Sequence, residues 1–343
     1  MAMTSKERVL NVIKRQPVDV MPAFTGFGNV IVAGLEKYGL RFPHIHLDAK
    51  EMADAAGATV ELAGIESAIV PFDMGVEAEA LGATLNTYPH SEDILYPTLR
   101  DKFVHEAGDI TLPADIAQAG RVPLVAEAIS LLKQKFGDEV AVGSWVLGPF
   151  TLAGQVMDLN ELLKMSFKEP AKAEAILSRL TEMIMGVAKA YVDAGADFIS
   201  LREMGATSDV VSPRSFKKQI KKFSEQIIAS IPVPKVYHIC GDTNMIVTDM
   251  AEVGADAVSV DQKNDLKASR EKIGPDVVLF GNIHPWDVFS QGTPEQIEEG
   301  VAAAVAAGVD AVWPGCDLWP QTPVENLRAW VEATHAAEPR YKA

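Results

Sequence analysis

The chain of 343 residues is 48% hydrophobic and 23% charged, which supports a large core and excludes extensive disorder. Its 31 basic residues are outnumbered by 47 acidic ones, giving a formal charge of -16 that argues against nucleic acid or an anionic membrane as partner. No apolar run approaches the ~20 residues of a membrane span, and Met1 to Arg8 lack the charged-then-apolar pattern of an export signal, so a cytoplasmic location is expected.

The chain opens with Thr4-Ser5-Lys6-Glu7, a capping sequence for a helix to about Lys14. A junction then recurs: Asp193-Ala194-Gly195-Ala196-Asp197-Phe198, Glu252-Val253-Gly254-Ala255-Asp256-Ala257 and Ala306-Ala307-Gly308-Val309-Asp310-Ala311, with a weaker copy at Leu62-Ala63-Gly64-Ile65-Glu66-Ser67. Each reads as a helix end, a glycine in the left-handed turn, and a short apolar strand buried on both faces. Further strands are expected at Val140–Trp145, Pro234–His238 and Val277–Asn282. Helices are expected from Pro170 to Ala194, Pro213 to Ser230 and Pro294 to Ala307, each with proline in its first turn, where a missing N–H costs nothing. Alternating βα units over most of the chain predict an α/β fold, a (β/α)₈ TIM barrel with an N-terminal helical extension. The alternative is a doubly wound open sheet, but no Gly-rich dinucleotide fingerprint follows the first strand. No linker is visible, so residues 1–343 read as a single domain.

Both cysteines end apolar runs. Cys240 lies in Tyr237-His238-Ile239-Cys240-Gly241-Asp242 and Cys316 in Val312-Trp313-Pro314-Gly315-Cys316-Asp317. On an extended strand His238 and Cys240, two apart, point the same way. One imidazole and two thiolates suit zinc, and three protein ligands leave a position open, the arrangement of a catalytic site. Two free buried cysteines, or a Cys240–Cys316 disulfide, are the alternatives; an acidic chain without an export signal gives the disulfide little support. The functional face of a barrel is at the strand C-termini, which collects Trp145, Glu203, His238, Cys240, Asp261, Asn282, His284 and Cys316 on one rim.

These pieces meet in a family. Gly148-Pro149-Phe150-Thr151-Leu152-Ala153-Gly154, His238-Ile239-Cys240-Gly241-Asp242, Gly281-Asn282-Ile283-His284-Pro285, and Pro314-Gly315-Cys316 followed by Pro320-Gln321-Thr322-Pro323, in this order, resemble the uroporphyrinogen decarboxylase superfamily. Within it the chain is similar to the cobamide-dependent methyltransferase branch, from Thr4 to Leu327. The decarboxylase branch holds its tetrapyrrole with an Arg-rich N-terminal segment; the matching Phe24-Thr25-Gly26-Phe27-Gly28-Asn29 has no arginine. The resemblance implies a barrel that binds Zn2+ through His238, Cys240 and Cys316. It also implies a corrinoid (cobalamin) carried by a separate protein that docks over the barrel mouth.

In such a site a Lewis acid can ionise an acceptor thiol or polarise an ether donor, so either direction of methyl transfer is open. Glu203, Asp261 and His284 are candidates for proton handling or further metal contact. Gln321 stands where coenzyme M transferases of this branch carry a basic residue, which disfavours a small sulfonated thiol. Trp145, Trp286, Trp313 and Trp319, together with Asn282 and Gln321, are expected to line the co-substrate site. Flat walls favour an aromatic or apolar co-substrate. The expected direction is therefore from an aromatic methyl ether to Co(I) corrinoid, with methyl transfer from methylcorrinoid to a thiol as the alternative. A decarboxylase or a non-catalytic binding barrel would be a further reading. A homodimer is compatible with the sequence.

Overall fold

A computed structural model describes residues 2–137 and 139–342. Seven strands pair in parallel and in chain order: β1 (Ser67–Val70), β2 (Ala141–Leu147), β3 (Phe198–Arg202), β4 (Lys235–Ile239), β5 (Ala257–Val260), β6 (Val278–Ile283) and β7 (Ala311–Pro314). Helices lie between successive strands, giving the expected α/β barrel. Every residue of β2, β3, β5 and β7 is buried, which is why these runs are mostly apolar rather than alternating, with Ser144, Ser200, Arg202 and Ser259 the polar exceptions.

The recurring junction does what its residues suggest, and one thing more. Gly64, Gly195, Gly254 and Gly308 have φ of 76°, 106°, 88° and 92°, the left-handed turn that ends a helix before each strand. The acid after each glycine latches the preceding strand. Asp197 Oδ2 accepts from Val142 N at 2.9 Å, Asp256 Oδ2 from Lys235 N at 2.9 Å, and Asp310 Oδ2 from Leu279 N at 2.8 Å. These carboxylates satisfy strand-initial N–H groups that the sheet edge would otherwise leave orphaned.

The weaker copy explains where the eighth strand went. Glu66 Oε2 accepts from Ala23 N at 2.7 Å, and Glu66 N donates to Ala23 O at 2.9 Å. Residues 21–25 thus lie beside β1 where an eighth strand would run, but among the described residues they form no ladder; Pro22 has no N–H to donate. Phe24 from this segment meets Phe198, Phe280 and Trp313 edge-on, with centroids 5.2–6.2 Å apart, and fills the barrel. Gly26 follows because a Cβ there would lie 2.1 Å from Ser200 Oγ and 2.8 Å from the Trp313 ring.

The N-terminal helix is Ser5–Ile13, closed by the expected capping box between Thr4 and Glu7. Helices begin at Pro170, Pro213 and Pro294 as expected, the second passing through a π-turn at Phe216–Ile220. No described helix is long and apolar enough to cross a membrane.

Candidate metal centre and substrate cavity

Strand register builds the centre. Arg202 on β3 pairs with His238 on β4, and His238 pairs with Ser259 on β5, so the three stand side by side at one level of the sheet. Cys240 follows β4 by one residue and Cys316 follows β7 by two, both on the C-terminal rim. His238 Nε2 lies 3.0 Å from Cys240 Sγ, and Cys240 Sγ lies 2.9 Å from Cys316 Sγ. That separation is far longer than the about 2.05 Å of a disulfide, and both cysteines are free.

The ligand atoms of His238, Cys240 and Cys316 all lie within 4.8 Å of one another. A tetrahedral zinc with ordinary Zn–S and Zn–N bonds needs donors about 3.5–3.8 Å apart. The donor set fits zinc in kind, and its 2.9 and 3.0 Å contacts are closer than zinc-bound donors stand, so binding would spread the three side chains by less than about 1 Å. His238 Nδ1 is 3.1 Å from Ser259 Oγ; with the proton on Nδ1, the Nε2 lone pair faces the sulfurs. Burial, helped by the Arg202 cation, pushes the His238 pKa well below its ordinary value, so the ring is neutral and able to ligate. The neighbouring Cys316 thiol and then burial push the Cys240 thiol up, whereas Arg202 favours its ionised form. Two sulfurs this close, with little water, need positive charge to become thiolates together.

Arg202 supplies part of that charge. It is 1% exposed, donates through both terminal nitrogens to Asp317 (3.0 Å for one of them), and lies over the rings of Phe27 and Trp145, 5.0 Å and 4.6 Å from their centroids. Phe27 also meets the His238 ring edge-on at 4.6 Å. Sequence reading missed Arg202, Asp317, Ser259 and Phe27. Their signal was available only through register, since nothing in the local motifs links Arg202 or Ser259 to His238.

A cavity of about 770 Å³ opens onto Cys316, lined among others by Asp261, His284, Trp286, Asp317 and Trp319. Trp286 and Trp319 meet edge-on at 4.6 Å and remain 38% and 47% exposed, a paired aromatic rim at the cavity mouth.

Several expected site residues lie elsewhere. Trp145 is buried in the core, its Nε1 donating to Pro71 O at 2.8 Å. Trp313 is also buried, stacked on Phe280 at 4.7 Å inside the barrel. Neither belongs to the cavity wall, because their strand positions turn them inward. Asn282 donates to the carbonyls of Asp261 and Asn264 at 2.9 and 2.8 Å, which ties the loop after β5 to β6. Gln321 is exposed and is not among the residues lining the cavity, although its neighbours Trp319 and Pro320 are.

His284 Nδ1 accepts from Trp286 N and Asp287 N at 3.3 and 3.1 Å, so it caps the following helical turn and is committed there. Glu203 stands outside the three-residue donor group. It accepts from Phe150 N (3.1 Å), Thr151 N (2.7 Å) and Thr151 Oγ1 (2.6 Å) at the start of helix Pro149–Val156. Burial pushes its pKa up to about 7. Asp261 does line the cavity.

The model of the family described as uroporphyrinogen decarboxylase (URO-D) matches residues 4–337. The chain belongs to this family. Within it, similarity runs to methyltransferases. It is 32% identical over 336 residues to methylcobamide:CoM methyltransferase MtaA of Methanosarcina barkeri, covering 96% of this chain and 97% of that one. It is 30% identical over 333 residues to methylcobamide:CoM methyltransferase MtbA of Methanosarcina acetivorans, with 96% and 97% covered. The solved structure of a methyltransferase from Methanosarcina mazei superposes with a TM-score of 0.92 at 32% identity, over 97% of this chain and 98% of that one. This URO-D family member is an enzyme of the methyltransferase branch.

Proposed function

We propose that the chain moves a methyl group from the cobalt of a methylcorrinoid, carried by a partner protein, to the sulfur of a small thiol, with zinc held by His238, Cys240 and Cys316. The observation that carries this reading is the convergence of one imidazole and two thiols beside a cavity that reaches Cys316. Similarity over nearly the whole chain to enzymes named for methylcobamide and CoM supports a thiol acceptor. The ether-donor direction rested on four tryptophans and Gln321; two of those tryptophans are core residues and Gln321 does not line the cavity, so that argument loses much of its basis.

Zinc bound there would supply a Lewis acid that ionises the acceptor thiol at neutral pH. The residues do the remainder. Ser259 holds the His238 tautomer, and Arg202 offsets the negative charge that gathers at the two sulfurs. Asp317 holds Arg202 through both its terminal nitrogens. The exposed Trp286–Trp319 pair offers an apolar contact for a corrin ring. In the transfer the thiolate sulfur attacks the methyl carbon, the Co–C bond breaks, and its electron pair stays on cobalt.

The test is spectral. Protein loaded with zinc is mixed with methylcobalamin and 2-mercaptoethanol, and loss of the methylcobalamin spectrum is followed. Demethylation that vanishes in Cys316→Ala supports the proposal. Methylcobalamin formation from guaiacol-type ethers and Co(I) cobalamin, with no thiol-dependent loss, overturns it.

A further inference from the structure

One acid of the cavity has no counter-charge among the described residues. Asp261, the residue after β5, is 4% exposed and shares the lining with Cys316. Its Oδ1 accepts from Lys263 N at 2.9 Å, and its carbonyl accepts from the amides of Asn264 and Asn282, so the side chain is held in a fixed turn. Among the described residues no donor meets Oδ2, and no cation lies within ion-pair distance of the carboxylate.

The other two aspartates of the lining are paired with arginines. Asp73 receives both terminal nitrogens of Arg121 at 2.7 and 2.9 Å, and Asp317 receives Arg202. Lys102, the one Lys or Arg in the lining, donates to the carbonyls of Gly154 and Gln155. A largely buried carboxylate with an open acceptor attracts a ligand that brings N–H groups or positive charge, the more strongly where the ligand displaces water. A ligand bearing a second anion meets repulsion instead.

We propose that Asp261 selects the methyl acceptor by receiving an ammonium group on it, so that the site takes small aminothiols in preference to sulfonated or carboxylated thiols. This rests on the thiol-acceptor reading above. It makes Asp261 a specificity residue that touches the substrate's far end while the metal centre holds the sulfur.

The experiment compares 2-aminoethanethiol with 2-mercaptoethanesulfonate, using zinc-loaded protein and methylcobalamin. The deciding quantity is the ratio of their kcat/KM values and how it changes in Asp261→Asn, since differences in intrinsic thiol acidity cancel in that comparison. The aminothiol is expected to lead in the wild type, and Asp261→Asn to lower the ratio at least tenfold, mainly through KM. A ratio unchanged in Asp261→Asn, or a wild type that prefers the sulfonate, overturns the proposal. Calorimetric titration of the zinc-loaded wild type with both thiols gives an independent readout. Preferential binding of the aminothiol sustains Asp261's role even where no thiol is methylated, an outcome that sinks only the transfer reading. Equal or weaker aminothiol binding sinks the role of Asp261, and does so even where the variant fails to fold.

Discussion

Ser259→Ala tests the centre most directly. His238 is fully buried, and its Nδ1 has one partner, Ser259 Oγ at 3.1 Å. Removing that oxygen takes away the acceptor of a fully buried ring N–H. An orphaned buried donor costs about 1–3 kcal/mol, so metal-free protein should lose that much in urea unfolding. Freed from its tautomeric restraint, the ring should also bind metal less tightly, by about 10- to 100-fold on the usual scale for the partners of ligating histidines. Competition for zinc with a chromophoric chelator measures this, and Ser259→Thr, which keeps a hydroxyl, should recover part of it. Zinc affinity within twofold of wild type in Ser259→Ala, with unchanged stability, would refute the assignment of Nε2 as the metal-facing nitrogen.

Three other outcomes follow from the same geometry. Dialysis against a strong chelator should abolish thiol-dependent loss of methylcobalamin, with zinc restoring it to wild type but not to Cys240→Ala, as read by the spectral assay and elemental analysis. Glu77 is buried and accepts from Leu147 N at 2.9 Å, and burial pushes its pKa up to about 7 from 4.5. A raised acid contributes stability that is full below pH 4.5 and lost as pH rises through 7, worth roughly 3 kcal/mol for a shift of this size. Glu77→Gln should therefore gain on the wild type by about that amount in urea unfolding between pH 4.5 and 8, and a constant difference across that range would count against a buried protonated acid. Gly26→Ala drives a Cβ into Ser200 Oγ and the Trp313 ring at 2.1 and 2.8 Å, and should cost about 1–3 kcal/mol by chemical denaturation.

The parts legible in the sequence were those set by local chemistry. The repeated glycine, needed where a helix turns left-handed into a strand, marked Gly64, Gly195, Gly254 and Gly308, and the prolines marked helix starts. His238 and Cys240 share a face because strand periodicity is two, and the structure brings their donor atoms to 3.0 Å. Rim residues were recognisable as rim residues, since they follow strand ends. Side-chain direction was not: Trp145 and Trp313 turn into the core, whereas Trp286 and Trp319 turn out to the cavity mouth. His284 and Glu203 were legible as polar rim groups, yet nearby backbone N–H groups claim both.

By itself, then, the sequence determined the α/β alternation, the strand-end location of both cysteines and the chemistry of a His-x-Cys pair. It did so because turn conformation, strand periodicity and donor type belong to residues within a few positions of one another. Only tertiary structure decided that residues 21–25 take the place of an eighth strand, and that Cys316 meets Cys240 from 76 positions away. It alone set Arg202, His238 and Ser259 in one row across three strands. It also left Asp261 as the cavity's unpaired acid. Those facts depend on parallel register and barrel closure, which juxtapose residues far apart in the chain, and no local pattern encodes which side chain will stand beside which.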